Sequence, residues 1–153
     1  MREILFRGKE LDDGDWVEGY LIRNDSICYP ALFIGMIEAS RTRYGELSID
    51  GHYLPQVDPD TVGQYTGLTD KNGKRIFEGD IVKHYNMWND PEAYDVGHVY
   101  YFQDRCKWKR TTFDGFNKTG RPIDDPEMHV SSKYEVIGNI YDNSELIAEV
   151  EEC

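Results

Sequence analysis

Short runs in which apolar and polar residues alternate make up most of this chain. Alternation with a period of two places one face of a β-strand on a core and the other face in water. Long runs of the residues that build helical bundles are missing from the sequence. We therefore predict a mainly β protein. The predicted strands lie at 3–8, 16–23, 62–68, 75–85, 96–102, 106–113 and 134–141.

Two dipeptides between these runs predict tight hairpins. Asp13-Gly14 and Asn72-Gly73 supply the residues that two-residue β-turns prefer, because glycine adopts positive φ without strain. The block that follows Asn72-Gly73 is rich in aliphatic residues, and we predict that Ile76, Ile81 and Val82 are buried. Asn143 or Ser144 is predicted to cap a short C-terminal helix.

A possible internal boundary lies at residues 56–63 (QVDPDTVG), where prolines disfavour helix before each of them. We predict an N-terminal β module over 1–56 and a second module over 57–153, with one continuous domain as the alternative. Residues 38–44 (EASRTRY) are interpreted as a polar loop. The segments WVEGYLIR (16–23) and IFEGDIVK (76–83) are similar, and either duplication or chance likeness between hairpins explains this.

Three blocks of the sequence carry a family resemblance. They are FRGKELDDGDWVEGYL at 6–21, VGQYTGLTDKNGKRIFEGDIVKH at 62–84 and YEVIGNIYDNSEL at 134–146. In this order they resemble the YopX family of phage and prophage proteins. The resemblance implies a phage or prophage origin and an SH3-like barrel in the C-terminal half, with the N-terminal β-hairpin module packed against it. It implies no catalytic residues, because none are established for the family.

The chain is strongly acidic, with 17 basic and 29 acidic residues and a formal net charge of -12. Phosphate binding draws its affinity from Lys and Arg, so we expect no binding to nucleic acid or to anionic membranes. Cys28, Cys106 and Cys153 are too far apart for a disulfide framework or a zinc site. With no apolar run long enough for a signal peptide or a membrane span, we expect a cytoplasmic protein of a bacterial host.

The residues with catalytic or metal-binding potential follow no known pattern. No two of the four histidines have the spacing of a metal site, and no nucleophile elbow or phosphate-binding loop occurs. Asp58 and Asp60 flank a proline, where aspartate is favoured for turn geometry. We expect neither an enzyme nor a cofactor. Lys107, Lys109 and Arg110 surround Trp108; either they bind single strands or, as we favour, the strand has one solvated and one packed face.

Apolar side chains in polar loops provide the candidate site. Met87, Trp88, Tyr94 and Phe116 lie among Asp, Asn, Pro and Gly, and such exposed side chains often mark partner surfaces. The alternative is that they fold back onto the barrel. We predict a non-enzymatic interaction module that binds a protein partner or a second copy. The alternative function is an acidic decoy that imitates nucleic-acid charge towards a host protein.

Overall fold

The computed structural model describes residues 3–25, 31–36, 39–41, 47–49, 54–85, 94–111, 127–129 and 133–146. These residues form twelve β-strands and two 3₁₀ turns, which confirms the prediction of a mainly β chain. Among them no helix is long and apolar enough to cross a membrane. Contacts along the chain divide it into two compact units, Met1–Tyr65 and Thr66–Cys153.

The first unit is built on an antiparallel sheet with the order β6-β3-β2-β1-β7. A 3₁₀ turn at Pro59–Thr61 separates the last two of these strands in the chain, and a separate two-stranded ladder joins β4 to β5. The strands are β1 (Phe6–Lys9), β2 (Trp16–Asn24), β3 (Ala31–Gly35), β4 (Ala39–Arg41), β5 (Leu47–Ile49), β6 (Gln56–Val57) and β7 (Gly63–Thr69), the last of which continues into the second unit.

The second unit contains an antiparallel sheet with the order β11-β10-β9-β12. Earlier in the chain, β7 pairs with β8. A single bridge from Lys109 to Glu127 adds to the outer edge of β11. The strands are β8 (Arg75–Phe77), β9 (Asp80–Tyr85), β10 (Tyr94–Phe102), β11 (Lys107–Arg110) and β12 (Tyr134–Asn139), with a 3₁₀ turn at Gln103–Arg105 between β10 and β11.

The chain turns at both predicted positions, although the connections are longer than two residues, since Lys9 pairs with Trp16 in the first and β7 ends at Thr69 before β8 begins at Arg75 in the second. Gly14 has a φ of +78° and Gly73 a φ of +82°, the conformation that other residues adopt only with strain. The Asp70 carboxylate fixes the second turn, because it accepts hydrogen bonds from the backbone N–H groups of Asn72 (2.8 Å) and Lys74 (2.9 Å). Its other oxygen accepts from the N–H of Val136 (3.1 Å), so the turn is tied to β12.

One long strand in each unit belongs to two ladders. The first half of β2 pairs with β1 and its second half pairs with β3. In the same way, β10 pairs first with β9 and then with β11. A glycine lies at each exchange of partner. A Cβ on Gly19 would overlap the backbone of Gly35, and one on Gly97 would overlap the carbonyl oxygen of Thr111. Only glycine allows the third strand to approach this closely.

The block 75–85 forms the core of the second unit, as predicted. Ile76, Ile81 and Val82 are fully buried, and Val99 and Tyr134 pack in the same core. In the first unit the buried apolar side chains are those of Leu5, Ile34, Val57 and Tyr65. Each unit therefore buries apolar side chains of its own.

Several predictions need correction or stay open. Residues 39–41 form strand β4, so the predicted polar loop at 38–44 is wrong there. The strand pairing gives antiparallel sheets and, within the described residues, not a closed barrel, while the SH3-like assignment and the division after residue 56 stay predictions. Of the predicted C-terminal helix only the first turn is described, where the N–H of Leu146 donates to the carbonyl of Asn143 (3.1 Å).

Candidate functional site

Of the four residues predicted to bind a partner, the structure describes Tyr94. Met87, Trp88 and Phe116 lie outside the described residues, so their roles stay predictions. Tyr94 is the first residue of β10, and half of its surface (50 %) is exposed. An aromatic side chain this open on a regular strand is a candidate contact for another molecule.

Tyr94 lies in a cluster of aromatic and basic side chains. Its partner across the ladder is Tyr85, and the two ring centroids are 5.8 Å apart. The Lys83 ammonium lies 4.3 Å from the centroid of the Tyr94 ring. Lys83 and Tyr85 are two residues apart on β9 and therefore share one face of the sheet. Strand pairing and the two-residue repeat thus bring these three side chains together.

A second lysine extends the same cluster. The Lys71 ammonium lies 4.3 Å from the centroid of the Tyr85 ring and 2.7 Å from the Glu135 carboxylate. The Tyr85 hydroxyl also donates to Glu135. We call Lys71, Lys83, Tyr85, Tyr94 and Glu135 the tyrosine–lysine surface.

The charges of the tyrosine–lysine surface are mutually adjusted. The hydrogen bond to Glu135 raises the pKa of Lys71, and the Tyr85 hydroxyl adds to this effect. The hydrogen bond from Lys71, followed by that from Tyr85, lowers the pKa of Glu135. These groups are exposed, so solvent screens the pair and its contribution to stability is small. Two cations against one anion leave a locally positive, aromatic surface on an acidic chain.

A partly buried polar cluster lies on the other face of the same strands. Arg110 Nη2 donates to Asp95 Oδ2 (2.8 Å) and lies 3.1 Å from His84 Nδ1. The Arg110 side chain is almost fully buried, and so is Lys109. The prediction that residues 107–113 alternate between a solvated and a packed face is therefore wrong at these two adjacent positions. A K-W-K-R segment carries no sequence signal of this burial.

The surroundings of His84 shift the pKa of its ring downward, which favours the neutral form. Burial, reinforced by the positive charge of Arg110, lowers its pKa, while Asp95 acts in the opposite direction. The Nδ1 atom of His84 lies 3.1 Å from Arg110 Nη2 and 3.3 Å from Asp95 Oδ1, so the ring contacts both members of the ion pair. The cluster joins β9, β10 and β11. His98 contacts Thr111 Oγ1 (3.1 Å) on the opposite face of β10, so it does not meet His84.

A shallow groove of about 300 Å³ lies beside β11. Leu68, Trp108 and Met128 form its apolar part, and the ion pair of Lys107 and Glu127 (2.7 Å) is at its margin. The Trp108 Nε1 atom is inaccessible to solvent and has no hydrogen-bond partner, so a ligand in the groove does not reach it. The groove can take an apolar group, and its lining also includes Thr66 and the exposed free thiol of Cys106. Within the described ranges, no three His, Cys, Asp or Glu side chains converge as metal ligands.

Comparison with known proteins identifies the family of the chain. The YopX protein family matches residues 5–148. The chain belongs to the YopX family. Its fold is similar to that in the crystal structure of protein EF1440 from Enterococcus faecalis, with a TM-score of 0.56 and 24 % sequence identity over 96 % of this chain and 99 % of that one. At this identity the likeness is one of fold alone. No curated protein matches the chain.

Proposed function

We propose that this YopX-family chain is a phage or prophage accessory protein that acts inside the bacterial host as a non-enzymatic protein-interaction module. The observation that carries the proposal is the tyrosine–lysine surface, where the half-exposed Tyr94 is joined by Tyr85 and two lysines on one face of a sheet. Tyrosine is enriched at protein interfaces because it offers a large contact area with a polar tip.

The chemistry of this surface favours binding a protein over imitating nucleic acid. An acidic decoy has to present carboxylates to a basic host surface. The tyrosine–lysine surface instead presents cations and aromatic rings, which complement carboxylates and apolar side chains on a partner. Lys83, Tyr85 and Tyr94 lie on β9 and β10, whose other face packs in the buried core, while Lys71 lies in the 70–74 turn and Glu135 on β12.

A single substitution at Tyr94 tests the proposal. Tyr94→Ser should remove most of the partner capture from an infected-host lysate while leaving the melting temperature nearly unchanged, because the ring is half in solvent already. Tyr20→Ser is the matched control, since Tyr20 is a similarly exposed tyrosine on β2 of the first unit. Equal capture by Tyr94→Ser, by Tyr20→Ser and by the unaltered chain would contradict the proposal.

Trp88→Ala extends the test to Trp88, another of the residues that the sequence predicts to bind a partner. If Trp88 contacts a partner, the change should weaken capture or self-association with little loss of stability. If it covers the core instead, the change should lower the free energy of unfolding by about 3 kcal/mol or more, as aromatic core truncations do. Calorimetry and sedimentation of this variant separate the two outcomes.

A further inference from the structure

A rigid acidic turn connects β1 to β2 in the first unit. The N–H of Glu10 donates to the carbonyl of Asp15 (2.9 Å), and the N–H of Gly14 donates to the carbonyl of Glu10 (3.1 Å). The N–H of Leu11 donates to the carbonyl of Gln56 (3.0 Å), which ties the turn to β6. A segment fixed in this way loses little conformational freedom when it binds.

This turn presents an apolar side chain among carboxylates. More than half of the Leu11 surface (53 %) is exposed, and Asp12, Asp13 and Asp15 are exposed beside it. We call these four residues the acidic turn. Leucine in water needs no explanation by itself. Here, however, its neighbours carry charges opposite to those of Lys71 and Lys83.

We propose that the acidic turn of one copy of this chain binds the tyrosine–lysine surface of a second copy. The carboxylates of the turn would pair with Lys71 and Lys83, and Leu11 would pack on the exposed ring of Tyr94. The inference rests on the proposed function, since it names the partner of the same surface. It is carried by the complementarity of charge and of apolar area between two features of one sequence.

Net charge, ionic strength and buried area determine how strong this contact between two copies can be. Two chains of net charge -12 repel each other over long range, so attraction has to come from close pairs. At an ionic strength of about 0.15 M the Debye length is about 8 Å, which weakens the distant repulsion more than contacts of about 3–4 Å. A turn on a sheet face also buries little area, so each contact is weak. Since each copy carries both features, two reciprocal contacts or an open chain of copies can form.

A charge-exchange experiment tests the pairing. The turn variant is Asp12→Lys with Asp13→Lys, and the surface variant is Lys71→Glu with Lys83→Glu. The unaltered chain at about 1 mM should sediment as more than a monomer, and each variant alone should associate at least about tenfold more weakly. Mixing the two variants should restore association, because one contact is then native and the other has both signs reversed.

Control variants separate the contact from the change in net charge. Asp104→Lys with Glu145→Lys changes the net charge as the turn variant does, and Lys74→Glu with Arg105→Glu changes it as the surface variant does; all four positions are exposed. The controls should associate like the unaltered chain. Failure of the mixture to restore association, or a turn variant that associates normally, overturns the proposal.

The outcome also separates this inference from the proposed function. Suppose that the unaltered chain stays monomeric at about 1 mM while Tyr94→Ser loses capture of a host protein. The partner is then not a second copy, and the proposed interaction surface is retained. If Tyr94→Ser changes neither self-association nor capture, the surface itself is wrong. Binding of a single-stranded oligonucleotide that requires Lys83 and Tyr94, without self-association, would assign the surface to nucleic acid and overturn the second-copy inference.

Discussion

The two units share one strand order and one register, although they differ in chemistry. In each, the long shared strand pairs with the strand before it and then with the strand after it, and a later strand (β7 or β12) pairs with the other edge of that preceding strand (β1 or β9). Gly19 in β2 and Gly97 in β10 occupy the same position. Each glycine lies against the end of the strand that pairs second, at Gly35 in the first unit and at Thr111 in the other. The positions of the two units can therefore be compared one by one.

The comparison shows that three corresponding positions carry apolar residues in one unit and polar or charged residues in the other. The positions of His84, Asp95 and Arg110 correspond in register to Gly8, Val17 and Ile34. In the first unit they are closely packed, since a Cβ on Gly8 would lie 3.2 Å from the Ile34 Cδ1 atom. The topology therefore does not require a polar cluster, and the ion pair of the second unit is an alternative solution at equivalent positions.

The surfaces at the start of the shared strands differ in exposure. Trp16 corresponds to Tyr94, and Arg7 corresponds to Lys83. The Arg7 guanidinium lies 4.8 Å from the centroid of the Trp16 ring, so both units place a cation over an aromatic ring. Arg7 is buried and Trp16 half-buried, whereas Tyr94 is exposed. The same arrangement thus contributes to packing in the first unit and is open to a partner in the second.

The largest expected effect comes from truncating the equivalent core residues. Leu5 and Ile81 occupy matching positions, and both are buried. Leu5→Ala and Ile81→Ala should each lower the free energy of unfolding by about 2–5 kcal/mol, because each leaves a cavity. Denaturant unfolding of both variants measures this. A loss below about 1 kcal/mol at either position would break the equivalence of the two cores.

Local signals in the sequence predict part of this architecture. Asn72-Gly73 and the aliphatic residues of 75–85 indicate a turn and a core strand, because turn geometry and side-chain alternation are short-range properties. The exchange of partners at Gly19 and Gly97 depends on strands distant in sequence. The similarity between WVEGYLIR (16–23) and IFEGDIVK (76–83), which the sequence left open between duplication and chance, does not follow this register. It matched Gly19 with Gly79, which has a φ of +82° in the turn before β9.

Of the five residues of the tyrosine–lysine surface, only Tyr94 was singled out from the sequence. Tyr94 stands out in the sequence as an aromatic residue within a polar segment. Its contacts with Lys83 and Lys71 arise from strand pairing and from the approach of the 70–74 turn to β12, which the sequence does not encode locally. The burial of Arg110 was missed for the same reason, because Asp95 reaches it from another strand.

The second largest effect is expected at the exchange points. Gly19→Ala and Gly97→Ala should each destabilise the protein by about 3 kcal/mol, since the added Cβ forces two backbones apart. Thermal unfolding gives the comparison. Gly73→Ala is the control, because nothing lies near its Cβ position and only its positive φ opposes the change, at about 1 kcal/mol. If all three variants lose the same amount, close strand approach is not the reason for the glycines.

A smaller effect tests the charged interior. Asp95→Val should lower stability by about 2 kcal/mol, because it leaves the buried Arg110 without its anionic acceptor. Adding Arg110→Ile, the residue of the first unit, should recover most of that loss, as apolar replacement of buried ion pairs often does. Urea unfolding of the single and double variants measures the recovery. A double variant no more stable than Asp95→Val would show that the two interiors are not interchangeable.

The smallest effect is a dependence on pH that belongs to the second unit. The pKa of His84 is lowered on folding, so the folded protein binds fewer protons than the unfolded chain. The contribution of His84 to the free energy of unfolding is complete above the pKa of the unfolded chain, which is about 6.5. It decreases as the pH falls from that value towards the lower pKa of the folded protein. His84→Asn should flatten the dependence of the free energy of unfolding on pH in this window. An unchanged slope in His84→Asn would remove His84 as the cause.

Sharing one strand between two ladders also affects how each unit opens. The first half of β2 pairs with β1 and its second half with β3, so each ladder restrains the strand that the other ladder uses. The same connection exists in β10. Local fluctuations should therefore merge into one cooperative opening for each unit. In native-state hydrogen exchange, we expect amides on both sides of Gly19 to exchange with a single free energy, and those on both sides of Gly97 to do likewise.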